Sequence, residues 1–163
     1  MQINVCIFGV SGYTGSQLIH FLAKHKFVNL VGIFGNETIG GKIKDLFPSL
    51  KNLPDLTILN YSDFNFDNVD LIFSCLPHGK FQSSIINNLK DKTSIIDLSG
   101  DFRLDDLSLY EEFYGIKHKS KEINSKFVYG LSEVYKKEIK KAKFIANPGC
   151  YPTSVQIPLV PLI

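Results

Sequence analysis

A short apolar run ending in closely spaced glycines constrains this chain more than any other stretch. Ile3 to Phe8 is almost continuously apolar, the pattern of a strand buried on both faces of a parallel sheet. Gly9-Val10-Ser11-Gly12-Tyr13-Thr14-Gly15 follows, with the spacing GxxGxxG. From Ser16 to Lys24, Leu18 and Leu22 fall one helical turn apart with Ile19 beside them, which predicts a helix. Phe27 to Phe34 is a second apolar run. A strand, glycine turn, helix and strand within about 30 residues form the βαβ unit that binds dinucleotides. Glycines let the backbone approach a pyrophosphate, and the helix N-terminus stabilises its charge. The competing reading is structural, because glycines also end strands and cap helices.

The residues leave the choice of nucleotide open. An acidic side chain about 20 positions after the glycines would hold a ribose 2′-OH. Glu37 is close to that place but past the expected strand end. Lys42 and Lys44, after Gly40-Gly41, either serve a 2′-phosphate or lie on a solvated loop.

Further along, the α/β pattern repeats, and a Rossmann-type, doubly wound parallel sheet is the fold expected. Asp45 to Leu50 is a short helix or turn, and Leu56 to Leu59 a weak strand. Val69 to Phe73 is a buried strand running into Ser74-Cys75-Leu76-Pro77-His78-Gly79, ahead of a helix from Lys80 to Leu89. Loops after the carboxyl ends of parallel strands are where such sheets bind ligands. His78 is thus either a cofactor contact or a loop-packing residue. Ser94 to Leu98 is the next strand and leads to Arg103, the only arginine in a chain rich in lysine. Its planar fork suits a phosphate or carboxylate; the alternative is an ion pair with Asp101 or Asp105. Asp105 to Tyr114 reads as a short helix, Lys117 to Lys126 as a polar surface loop, and Ser132 to Lys141 as a helix.

Phe144 to Ala146 is a last short strand. It delivers Asn147-Pro148-Gly149-Cys150-Tyr151-Pro152-Thr153, a tight turn and the first turn of a helix. Pro152 suits a helix start. Cys150 then lies at or just before the N-terminus, where unpaired N–H groups and the helix dipole favour a thiolate. The other reading makes Cys150 a small buried hydrophobe. Pro158 and Pro161 each remove a helix hydrogen bond, so the final segment is expected to bend or break.

Composition excludes several classes. The 163 residues suffice for one full domain. A net charge of +2 gives no footprint for nucleic acid. Three cysteines, Cys6, Cys75 and Cys150, make neither a disulfide framework nor a zinc pattern, so no metal is expected. They suit a reducing compartment, the cytoplasm. The N-terminus has no basic region and reads as a strand rather than a signal peptide, and no apolar run approaches a membrane span.

The motifs together resemble N-acetyl-gamma-glutamyl-phosphate reductase, the NADPH-dependent enzyme family of arginine biosynthesis. The glycine turn at Gly9 to Gly15, Leu76-Pro77-His78-Gly79, Asp97-Leu98-Ser99-Gly100-Asp101-Phe102-Arg103-Leu104, Tyr129-Gly130-Leu131-Ser132-Glu133 and Asn147 to Thr153 occur in the family's order. The resemblance implies reduction of an acyl phosphate to a semialdehyde, with release of phosphate, through a cysteine thioester. Cys150 becomes the nucleophile. Gly9, Ser11, Gly12, Tyr13, Thr14 and Gly15 become cofactor-binding residues, Gly12 to Gly15 approaching the phosphates of NADP(H). Ser74, Pro77 and His78 lie along the cofactor. Arg103 and Asn147 become substrate contacts, and the backbone at Gly149 and Cys150 a donor to the developing oxyanion.

Two departures accompany it. Members of the family are considerably longer, and their acid/base histidine and most of their substrate surface lie in a second α+β domain after the cysteine helix. The expected division is 1–146 for the nucleotide-binding domain and 147–163 for the cysteine turn and the first helix of a second domain otherwise missing. The apolar residues from Val155 to Ile163 then have little to pack against. The loop at Gly35 to Thr38 also lacks the basic or hydroxyl-rich pattern common in NADPH-binding members. Two alternatives stand beside the main reading: a catalytically incomplete nicotinamide-nucleotide-binding fragment, or a related reductase of the aspartate-semialdehyde or carrier-bound aminoadipate-semialdehyde type. The expected partners are a small-molecule acyl phosphate and, in full-length form, further copies of the chain; nucleic acid and membrane are not expected.

Overall fold

The computed structural model describes residues 2–50, 53–86, 89 and 92–163. It forms two compact units, Met1–Cys75 with Leu89–Ser94, and Leu76–Asn88 with Ile95–Ile163. Parallel strands joined through helices make up each of them, the Rossmann-type α/β winding expected.

In the first unit, β1 (Ile3–Phe8), α1 (Tyr13–Leu22), β2 (Val28–Phe34), α2 (Ile43–Leu46) and β3 (Leu71–Ser74) follow in order. β1 is the central strand, parallel to β2 on one side and to β3 on the other. Val5, Cys6, Ile7 and Phe8 are fully buried, as a strand covered on both faces requires. Ile7, Val10, Ile19, Ile33, Ile43 and Ile58 form one apolar cluster. Each such side chain stabilises the fold by about 1.5–3 kcal/mol relative to exposure.

Several local expectations shift. Helix α1 starts at Tyr13, ahead of Ser16, because Gly12 already takes the extended N-cap conformation. The short helix or turn over Asp45 to Leu50 resolves into the end of α2, which starts earlier at Ile43 and stops before Pro48, where the ring disfavours helical backbone at the preceding residue, and a turn closed by Leu50 N onto Phe47 O at 3.0 Å. Leu56 to Leu59 forms no strand, only isolated bridges from Leu59 to Phe34 and from Thr57 to Lys42.

The second unit runs through α3 (Lys80–Ser84), β4 (Ser94–Asp97), α4 (Leu107–Tyr114), α5 (Lys121–Asn124), β5 (Phe127–Tyr129), α6 (Lys136–Ile139), β6 (Phe144–Ala146) and α7 (Cys150–Leu159). β6 lies between β4 and β5, parallel to both. Phe102 stacks on Phe127 at 4.0 Å between ring centroids. Helix α4 is capped by Asp106, whose carboxylate accepts from Ser108 N at 2.8 Å, and it ends at Gly115 with φ 68°, the usual left-handed stop. The expected helix from Lys80 to Leu89 is helical to Ser84; residues 87 and 88 lie outside the described residues.

Three expectations here are corrected. Lys117 to Lys126 is not a surface loop: His118, Ser120 and Asn124 are buried and residues 121–124 form α5. His118 and Ser120 enter the interior with hydrogen-bond partners there, and the Asn124 amide nitrogen donates to Leu104 O at 3.0 Å. Ser132 to Lys141 is helical only at α6, since Val134 N and Tyr135 N both close a turn onto Leu131 O. Helix α7 runs through Pro158 to Leu159 before tightening to a 3₁₀ turn at Val160–Leu162, so the break falls later than Pro158.

Candidate active site

The glycine turn of the first unit is held by β2: Gly9 N and Val10 N both donate to Phe34 O, at 2.9 and 3.2 Å. Gly9 has φ 78°, a conformation that favours glycine. A Cβ on Gly15 would stand 2.3 Å from Gly9 O and 2.7 Å from the Val10 Cα, so only glycine lets α1 approach the turn. The N-cap is Gly12, with no side-chain cap. The first N–H groups of α1 therefore point outward without a side-chain acceptor, and Ser11, Gly12, Tyr13 and Thr14 around them are exposed. Such an arrangement can receive an anion. Ser74, at the end of β3, pairs in register with Phe8. It is fully buried, and its hydroxyl has no hydrogen-bond partner among the described residues, a costly state unless a ligand satisfies it.

After β2 comes an open recess of about 410 Å³ lined by Glu37, Thr38, Lys42 and Asp45, among others. Lys42 and Lys44 each sit 3.3 Å from the Asp55 carboxylate. Hydrogen bonds from Lys44 and then Lys42 hold that carboxyl below its ordinary range. Both lysines thus lie in a solvent-exposed cluster with Asp55, which agrees with the reading of a solvated loop.

In the second unit, the ladder extends past the strand ends. Asn147 N donates to Asp97 O at 2.7 Å and Gly130 N to Ala146 O at 2.8 Å. This fixes where the chain leaves β6 and enters the cysteine turn. Cys150 is the first residue of α7, after the N-cap Gly149. It is exposed, whereas Cys6 is buried and Cys75 half-buried. Exposure removes the reading of Cys150 as a buried hydrophobe; Cys6 fits that description, its thiol pushed up to about 12 by burial. Pro152, third in the helix, still falls in the first turn, where its missing N–H is tolerated.

Arg103 is half-buried. Nε donates to Asn147 O at 2.8 Å and Nη2 to Leu98 O at 2.9 Å, instead of the expected alternative pair with Asp101 or Asp105. Asn147 turns its own amide nitrogen onto Pro148 O at 3.0 Å. His78 is exposed, and its Nδ1 accepts from Gly100 N at 3.1 Å, which leaves the proton on Nε2. Pro77 beside it is also exposed. The second unit thus ties Arg103 to Asn147 on the turn that carries Cys150, and seats His78 against Gly100 in the loop that leads to Arg103.

A buried polar network behind that loop has no sequence signal. The Asp101 carboxylate accepts from Gly79 N at 2.7 Å and from the Tyr110 hydroxyl at 3.0 Å. Gln82 Nε2 donates to the same hydroxyl at 2.7 Å, while its Oε1 accepts from Lys119 N at 2.7 Å. His118 Nδ1 accepts from Ser120 N at 3.2 Å, so Nε2–H donates to Asp101 O at 2.9 Å. Burial, and then the Asp101 charge, raise the Tyr110 hydroxyl pKa. Burial lowers that of His118. The partners lie far apart in the chain, and no spacing rule links them.

Comparison with known proteins places this geometry. Residues 4–142 match the family described as semialdehyde dehydrogenase, NAD binding domain. The chain is 42% identical over 162 residues to a probable N-acetyl-gamma-glutamyl-phosphate reductase, chloroplastic, of Arabidopsis thaliana, covering 99% of this chain and 40% of that protein. It is likewise 42% identical to the N-acetyl-gamma-glutamyl-phosphate reductase of Methanococcus vannielii, covering 98% of this chain and 46% of that protein. The chain therefore spans less than half the length of these relatives, and the resemblance read from its motifs is borne out. Among solved structures, aspartate semialdehyde dehydrogenase II of Vibrio cholerae, complexed with ASA, superposes with a TM-score of 0.71 at 18% identity, over 99% of this chain and 46% of that one. The Candida albicans aspartate semialdehyde dehydrogenase with NADP gives 0.61 at 16% identity, over 99% and 47%. At such identities the likeness concerns the fold alone. This chain belongs to the semialdehyde dehydrogenase family, whose NAD-binding domain residues 4–142 match.

Proposed function

We propose that the protein carrying this chain reduces N-acetyl-gamma-glutamyl phosphate to the semialdehyde, with Cys150 as nucleophile. The observation that carries the reading is an exposed cysteine at the first position of α7, in a chain that belongs to this family. The Cys150 thiolate attacks the acyl carbon, the C–O bond to phosphate breaks, and a thioester forms on Sγ. NADPH, when bound, supplies the hydride that reduces the thioester carbon. The C–S bond then breaks, releasing the aldehyde and restoring the thiolate. Backbone N–H groups at Gly149 and Cys150 are suited to the oxyanion of the tetrahedral intermediates.

On the cofactor side, Gly9, Ser11, Gly12, Tyr13, Thr14 and Gly15 would hold the phosphates. The uncapped start of α1 and the close approach at Gly15 support this. Ser74 offers a buried hydroxyl in need of a partner, and the family resemblance assigns Pro77 and His78 to the cofactor as well. Arg103 and Asn147 stand on the substrate side. Two Arg103 nitrogens already serve carbonyls, so contact with the substrate phosphate falls to Nη1 and the second hydrogen of Nη2. The division into 1–146 and 147–163, a cytoplasmic setting and assembly with further copies belong to the same proposal. Among the described residues no helix is long and apolar enough to cross a membrane.

The test, on the protein carrying this chain, is NADPH oxidation with N-acetyl-gamma-glutamyl phosphate in the forward direction and NADP+ reduction with the semialdehyde and phosphate in the reverse. Cys150→Ser should abolish turnover in both. Turnover retained in Cys150→Ser contradicts the assignment.

A further inference from the structure

The guanidinium of Arg103 is largely committed to backbone. Nε takes Asn147 O and Nη2 takes Leu98 O. Those carbonyls belong to the residues that follow β6 and β4, two strands paired through Asp97 and Ala146. The planar fork thus closes the ladder at the point where the strands stop and the cysteine turn begins. Nη1 extends to the turn itself, 3.0 Å from where a Cβ on Gly149 would lie, with Pro152 Cδ 3.3 Å from the same point. Gly149 has φ −72° and ψ 159°, angles open to any residue, so the guanidinium packed on it explains the glycine better than backbone freedom does. Asp101, two residues before Arg103, is clamped by Gly79 N and Tyr110 and fixes the loop from which the arginine reaches.

We propose that Arg103 is a positioning residue for Cys150: it braces the Asn147–Gly149 turn so that the thiol is held at the start of α7. The significance for catalysis rests on the proposed role of Cys150. The brace itself does not. A lysine keeps the charge but has no rigid fork to serve two carbonyls at once.

The experiment is amide hydrogen exchange by NMR, with site-resolved alkylation alongside. Asn147 N and Thr153 N, bonded to Asp97 O and Gly149 O, report the turn; amides of β1 report global stability. Arg103→Ala and Arg103→Lys should both speed exchange at Asn147 and Thr153 on the order of tenfold, the loss expected for a charged hydrogen bond, while β1 amides stay unchanged. Gly149→Ala, which crowds the guanidinium without removing it, should act in the same direction and less than additively with Arg103→Ala. Exchange at Asn147 and Thr153 unchanged in Arg103→Ala, or fully restored by Arg103→Lys, overturns the brace. Should Arg103→Ala not fold, Gly149→Ala decides: unchanged exchange there overturns it. For alkylation, the brace predicts that Arg103→Ala slows neutral iodoacetamide at Cys150 as well as anionic iodoacetate, the anion losing in addition the charge that Arg103 offers the substrate. Slowing of iodoacetate alone means Arg103 acts on the anion and overturns the positioning role. Turnover surviving Cys150→Ser would defeat the proposed function and leave the exchange result standing.

Discussion

At Gly15 a single methyl group decides whether helix α1 can reach its strand. A Cβ there meets backbone atoms of Gly9 and Val10, and backbone gives way far less easily than a side chain. Gly15→Ala is expected to destabilise the chain by about 1–3 kcal/mol, the usual range for overpacking, read as a lower urea midpoint. His118 makes a second prediction at this scale. Both its nitrogens are spent in the neutral form, and burial depresses its folded pKa below the ordinary 6.5. The unfolded chain therefore binds the proton first as pH falls. Stability is fully present above 6.5 and is lost as pH drops from there through the folded pKa. His118→Gln should flatten that part of the stability–pH curve; an unchanged slope would remove His118 as its source. The glycines and Cys150 were legible in the sequence because their chemistry is local. Asp101 was legible only as a possible ion-pair partner of Arg103. Its actual partners, Gly79, Gln82 and Tyr110, come from other elements, and no one-dimensional pattern records that meeting.

Among the elements, those with apolar runs followed their sequence closely. β1 has the expected bounds, and β2, β4 and β6 depart by a residue or less, because a buried strand needs a continuous hydrophobic stretch and little else. Short helices were harder. Lys121–Asn124 and Lys136–Ile139 are single turns too short to show a 3.6-residue period, and tertiary hydrogen bonds decide them. The segment from His118 to Asn124, in which His118, Ser120 and Asn124 are buried, was misread because polarity was equated with exposure. Helix α4 had clearer punctuation, Asp106 before it and Gly115 after it. Asp106→Ala should cost about 1 kcal/mol, the common worth of an N-cap, seen in chemical denaturation. An effect within experimental error would mean that packing of Tyr110 alone holds the helix.

For the whole molecule, family membership and fold rest on nearly the full chain, while catalysis is argued from a chain that spans less than half of its named relatives. Cofactor binding is the activity that the NAD-binding domain can show alone. A one-site nucleotide at about 100 times its dissociation constant should stabilise the chain by about 2.7 kcal/mol, and NADPH should raise the melting temperature. No shift with NADPH or NADH would speak against a formed site. Helix α7 and the turn after it leave Val155, Leu159, Leu162 and Ile163 exposed, an apolar stretch of the kind that associates. The chain is expected to bind a hydrophobic dye there, and Leu162→Lys should weaken the signal. The claim on which the rest depends is the reactive cysteine, and its most direct test is site-resolved iodoacetamide labelling of Cys6, Cys75 and Cys150 in the folded chain. The account predicts that Cys150 is alkylated well ahead of the other two and faster than a free cysteine under the same conditions; equal labelling of all three, or a Cys150 rate no greater than that of free cysteine, would contradict it.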